Sequence, residues 1–153
     1  MRYILSLVFF AWAAAAAADI APRAGWVVIE TEKAHSQLID DVKAAVRAHN
    51  MGVVTQAGPT EAARARGISI PGNRVIGVFN NQFAVRILAL STAAMIEAPI
   101  RIYVTETETG ATVSYKTPSL VFAPYMAEAG PDLGRAAAEL DAVFMSIAQA
   151  AAD

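Results

Sequence analysis

The chain has no Cys among its 153 residues, only 2 His and 2 Trp, and 17% charged residues with a formal net charge of −2. Each scarcity excludes something. Without Cys there is no disulfide framework and no lipid-modified Cys to tether an N-terminus. A balance so close to neutral leaves no electrostatic footprint for nucleic acid or for an anionic membrane surface, so neither is expected as a partner. No glycine-rich phosphate loop occurs, and no acid, base, nucleophile or metal-ligand group has a recognisable spacing.

What is present begins with MRYILSLVFFAWAAAAAA, residues 1–18. A single charge at Arg2, an apolar stretch from Tyr3 to Trp12, and small residues at Ala16 and Ala18 have the layout of a signal peptide cleaved after Ala18. The alternative, a membrane anchor, needs about 20 apolar residues, and this uncharged run is shorter. The expected product is a soluble periplasmic or secreted protein starting at Asp19. Losing Arg2 leaves eleven Lys and Arg against 14 Asp and Glu, a net charge of −3. Residues 19–153 have the length of one domain and can bury a core without staples.

Periodicity assigns the elements of that domain. Residues 26–30, WVVIE, read as a strand. From Ser36, a plausible N-cap, the residues Leu38, Ile39, Val42 and Val46 recur at helical spacing until Gly52, with Asp40 and Asp41 as favourable charges near the helix start. VVTQ, 53–56, reads as a second strand, TEAARARG, 60–67, as a short helix, and VIGVF, 75–79, as a buried strand. A helix follows from about Gln82 to Ser91, with Phe83, Ile87 and Leu90 on one stripe and Val85 and Leu88 beside it. Ile100, Ile102 and Val104 alternate with polar residues, as do Val113 and Tyr115, on either side of Glu108-Thr109-Gly110, which signals a hairpin. After a turn-rich TPSLVFAPY, a last helix from Pro131 to Ala151 buries Leu133, Ala137, Leu140, Phe144, Ile147 and Ala151. The fold class predicted is α+β: a two-layer sandwich with a mixed or antiparallel sheet of about five strands and helices mainly on one face.

Five stretches share an order and spacing with a known family. They are GPTEAARARG, VIGVFNNQFAV, APIRIYVTE, the acidic turn ending in Gly110, and VSYKTP. In these the chain resembles the bacterial family called domain of unknown function 302. The resemblance implies a compact two-layer α/β fold, a homodimer as one assembly open to it, and no established activity. The family pattern sets an Asp-His pair where this chain has Gly58-Pro59, and an Asn-Pro where it has Asn80-Asn81. Chemistry that needs the family's His is therefore not expected, while the Asn is retained at Asn80.

Candidate residues remain to be weighed against plainer roles. Asn80 and Asn81 stand where a strand gives way to a helix. There an Asn side chain caps unpaired N–H groups, and the same N-terminus can hold an anion. His35 and His49 bracket one helix and lie roughly 20 Å apart along its axis, too far to share a metal within one subunit. Glu106 and Glu108 read as a solvated turn. Ser69 follows a Gly-x-Ser pattern without its closing Gly, and the Met residues at 51, 95, 126 and 145 read as core filler. Arg101, Tyr103 and Lys116 should share the polar face of the hairpin, a surface suited to an anionic small molecule or a protein partner. The expected ligand-binding residues are therefore Arg101, Tyr103, Lys116 and Asn80, with no catalytic residue, metal or cofactor. The function expected is that of a non-enzymatic binding domain. The alternative is an enzyme of hydrolase type, with a site that forms only in three dimensions.

Overall fold

β-Branched and aromatic residues at alternate positions commit five segments to strands. In the computed structural model, which describes residues 20–153, these are β1 (Trp26–Thr31), β2 (Gly52–Ala57), β3 (Asn73–Phe79), β4 (Ile100–Glu106) and β5 (Ala111–Lys116). They form one sheet in the order β1-β5-β4-β3-β2, and every neighbouring pair is antiparallel. The signal segment expected at 1–18 lies outside the described residues. The helices are α1 (His35–Ala48), α2 (Thr60–Arg64), α3 (Asn81–Leu90), α4 (Pro118–Phe122), α5 (Met126–Ala129) and α6 (Pro131–Ala152), with 3-10 turns at Ala93–Glu97 and Ala123–Tyr125.

The core is the seam between α1, α6 and one face of the sheet. Leu38, Val42 and Val46 of α1 are fully buried, and so are Leu133, Ala137, Ile147 and Ala151 of α6. They pack with Ile76, Ile102, Val104 and Val113, the inward set of the central strands. At the centre of the seam Phe144 meets Tyr115, ring centroids 5.6 Å apart and tilted by 51°, which is a favoured aromatic geometry. The hairpin between β4 and β5 closes with Thr107 N–H donating to the Gly110 carbonyl at 3.0 Å. Glycine is required there, because a Cβ would stand 2.2 Å from the Thr31 carbonyl of β1.

Several local expectations change. Ser36 does not cap α1: Ala34 holds the cap position without a side-chain bond, and Ser36 lies inside the helix. The helix opens at His35, whose ring lies so close to Gly72 that a Cβ there would stand 2.5 Å from Nδ1. Asp40 and Asp41 fall beyond the first turn and have pairing roles, Asp40 with Lys43 at 2.8 Å and Asp41 with Lys33 at 3.0 Å. Lys33 Nζ also donates to the Ala151 carbonyl at 2.9 Å, placing a cation at the negative end of α6. The helix ends at Ala48, and Asn50 at φ 56° makes the reversal, so Gly52 opens β2 rather than closing α1. TPSLVFAPY is helical rather than a run of turns, because Thr117 caps α4 by accepting from Leu120 N–H at 3.2 Å and Pro118 suits the first helical turn. Val85 and Leu88 are 59% and 48% exposed, so the buried stripe of α3 is narrower than the sequence implies. Met145, also expected in the core, is 37% exposed on the outer side of α6.

Replacing Phe144 with Ala removes the largest contact between α6 and Tyr115. The expected loss of stability is about 3 to 5 kcal/mol, read as a lower midpoint in denaturant unfolding.

Candidate functional site

Since the helices cover one face, side chains of opposite parity project from the other. On that face the register sets Val75 opposite Tyr103, Tyr103 opposite Ser114, and Trp26 opposite Lys116. Ile102 pairs with Tyr115, so one further step along the two strands brings Arg101 level with Lys116. Trp26, Lys116 and Arg101 thus form a row across β1, β5 and β4, and Gly77 of β3 continues it. A side chain at Gly77 has no room, since its Cβ would stand 2.1 Å from Thr55 Oγ1 and 2.8 Å from Pro99 Cγ.

At this end of the sheet the surface is concave. A cleft of about 240 Å³ is lined by Trp26, Val75, Arg101, Tyr103 and Lys116, with Ile100 and Tyr115 at the strand ends. Glu97, at the end of the first 3-10 turn, and Val121, from α4, complete it. Three of the four binding residues expected from the sequence are therefore brought together.

The charges in the cleft are unevenly partnered. Lys33, Lys43, Arg74, Arg86 and Arg135 each pair with a carboxylate, whereas among the described residues Arg101 and Lys116 have no such partner. Lys116 Nζ lies 5.7 Å and Arg23 Cζ 5.0 Å from the centre of the Trp26 ring, both within cation–π range. That contact steers the ammonium without neutralising it. Glu97 is the cleft's one carboxylate, and its Oε1 accepts a hydrogen bond from the Tyr125 hydroxyl at 2.8 Å. The same bond pushes the Tyr125 phenol above its ordinary range, so it stays protonated and continues to donate. Tyr115 is 2% exposed. Burial first, and then the charge of Asp141, push its ionisation up to about 12.

Asn80 is elsewhere and fully engaged. Its Oδ1 accepts from Gln82 N–H at 2.8 Å and Phe83 N–H at 3.1 Å, and its Nδ2 donates to the Asn50 carbonyl at 2.9 Å. Capping is therefore its structural role, and it borders only a narrow apolar recess of about 30 Å³ between α3 and the core. His35 and His49 do not converge. His49 bonds the carbonyl of Ala45 through Nδ1 at 2.8 Å, while His35 Nε2 lies 3.4 Å from the Val104 carbonyl. Among the described residues no group of three or more His, Cys, Asp or Glu is placed to hold a metal ion. Glu106 is exposed at the end of β4, and its Oε2 also accepts the Gly72 N–H at 2.6 Å, which ties the loop before β3 to β4. Ser69 lies in that loop beside Thr60 and Arg64, with neither His in its recess.

Sequence reasoning missed Trp26, Val75, Glu97, Ile100, Tyr115 and Val121 as members of the cleft. For Trp26 a signal existed: as the first residue of a strand beside a hairpin, it falls next to Lys116 if β1 pairs with β5. That pairing joins segments far apart in the chain, and periodicity does not reveal it.

One antiparallel sheet with helices on a single face defines a two-layer α+β domain. A family model described as "Domain of unknown function DUF302" matches residues 27–151, and the chain belongs to that family. The structure is similar to the crystal structure of the uncharacterized conserved DUF302 protein from Bacillus stearothermophilus, with a TM-score of 0.74 and 16% identity over 84% of this chain and 98% of that one. At that identity the likeness is one of fold. No curated protein matches the chain. Among the described residues no helix is long and apolar enough to cross a membrane.

Two outcomes follow from these environments. Asn80→Ala removes the acceptor for two N–H groups and should cost about 1 kcal/mol of stability in denaturant unfolding, with no change at the cleft. Tyr115 keeps its proton in the folded chain up to about pH 12, whereas an unfolded Tyr loses it near the ordinary value of 10. The unfolded state thus binds fewer protons between those limits, so stability should fall as pH rises through that window. Tyr115→Phe should flatten the decline in thermal melts recorded across it.

Proposed function

We propose that this is an exported, non-enzymatic binding domain that takes a small organic anion in the cleft at the end of the sheet. The observation that carries the reading is the pair Arg101 and Lys116, level with each other on adjacent strands and free of carboxylate partners among the described residues. A guanidinium and an ammonium side by side suit a carboxylate or a similar anion through charge-assisted hydrogen bonds. Around them Trp26, Val75 and Val121 offer apolar surface to the body of such a molecule, the usual composition of a small-molecule site. Neither His lines the cleft, and the lining offers no Ser or Thr to serve as a nucleophile. That composition suits retention better than turnover. Export rests on the layout of residues 1–18.

The test is calorimetric titration with 3-phenylpropionate, an anion with an apolar body, against the wild type and the Arg101→Ala/Lys116→Ala double variant. Each lost charge-assisted bond is worth about 1.5 to 3 kcal/mol, so the double variant should bind at least about 100-fold more weakly. Raised salt should weaken the wild type in the same direction. Equal binding by the two proteins would remove the cleft from consideration. Native mass spectrometry of protein purified from the cell envelope would then identify any molecule retained at another place.

A further inference from the structure

The cleft is not uniformly cationic. Glu97 also lines it, contributed by the 3-10 turn that precedes β4. Only one of its oxygens has a protein partner, the Tyr125 hydroxyl on Oε1, and among the described residues Oε2 accepts no hydrogen bond. The Tyr125 hydroxyl gives Glu97 a partner other than the two cations. No ion pair with Arg101 or Lys116 forms.

We propose that the cleft selects a zwitterion of amino-acid size, an apolar α-amino acid in its free form. The proposal rests on the reading that the cleft binds an anion, and adds a second pole to it. The ligand's carboxylate meets Arg101 and Lys116, and its ammonium meets the unpartnered oxygen of Glu97. Its side chain lies among Trp26, Val75 and Val121. A space of about 240 Å³ accommodates a molecule of this size. Charges of both signs in one cleft favour a zwitterion over a simple anion of the same size, because an anion without an ammonium leaves Glu97 uncompensated beside it. Tyr125 is a positioning residue in this arrangement, since it acts on the ligand through Glu97.

The experiment is calorimetric titration of the full chain with L-phenylalanine, L-leucine, N-acetyl-L-phenylalanine and L-phenylalanine amide. The free amino acids should bind best. The N-acetyl compound, which lacks the ammonium, and the amide, which lacks the carboxylate, should each bind at least about tenfold more weakly. Glu97→Gln should erase the penalty for acetylation while keeping the penalty for the amide. Arg101→Ala should do the reverse. If the wild type binds L-phenylalanine and its N-acetyl derivative equally, the zwitterion proposal falls and the anion reading stands. Binding of none of the four, together with no binding of 3-phenylpropionate, defeats both. Should Glu97→Gln fail to fold by circular dichroism, the comparison of the four ligands on the wild type decides the matter by itself.

Discussion

Everything in this domain depends on burial from one side only. A five-stranded antiparallel sheet has two faces, and α1 and α6 occupy just one of them. The apolar stripe of α6 is long enough to cross the strands, and it presses Leu133, Leu140, Phe144 and Ile147 against the inward residues of the sheet. With each fully buried aliphatic side chain worth about 1.5 to 3 kcal/mol, this seam supplies the main driving force for folding. The second face is thereby released from any duty to the core. Its side chains are chosen by other demands, and there Arg101, Tyr103 and Lys116 stand together.

That release is not complete. Ser114 is fully buried and Thr112 nearly so, although both point away from the helices. The register neighbours of Ser114 are larger, Val28 on one side and Tyr103 on the other. A small residue in the middle with bulky ones beside it gives the face its relief. The cleft is lined mainly from neighbouring strands, and the 3-10 turn and α4 add Glu97 and Val121.

Much of the fold was legible in the residue pattern because helical and alternating burial leave different periods. The stripe of α6 was read correctly at Leu133, Ala137, Leu140, Phe144, Ile147 and Ala151, and the hairpin parity that set Arg101, Tyr103 and Lys116 on one side was also correct. Helix boundaries were less legible: α1 opens at His35, whose ring lies against Gly72, before the expected cap at Ser36. The α4 segment hid behind Pro118 and Pro124, which suggest turns but also suit the first turn of short helices. At the site the difference was between residues on one hairpin and residues joined by pairing at long range. Arg101 and Lys116 are neighbours through a local turn, while Trp26 reaches them only because β1 returns to the edge of β5, some ninety positions away in the chain.

The tight loop at Thr107–Gly110 sets a limit on how this domain diversifies. It fixes the offset between β4 and β5 by a single backbone bond and has no slack against Thr31. An insertion or deletion of one residue there would slide the two strands by one place and exchange their faces. Lys116 would then point at Phe144, and Tyr115 would face water. Variation among descendants is accordingly confined to replacement at fixed length along the hairpin, where an outward residue can be changed without disturbing the inward residue next to it.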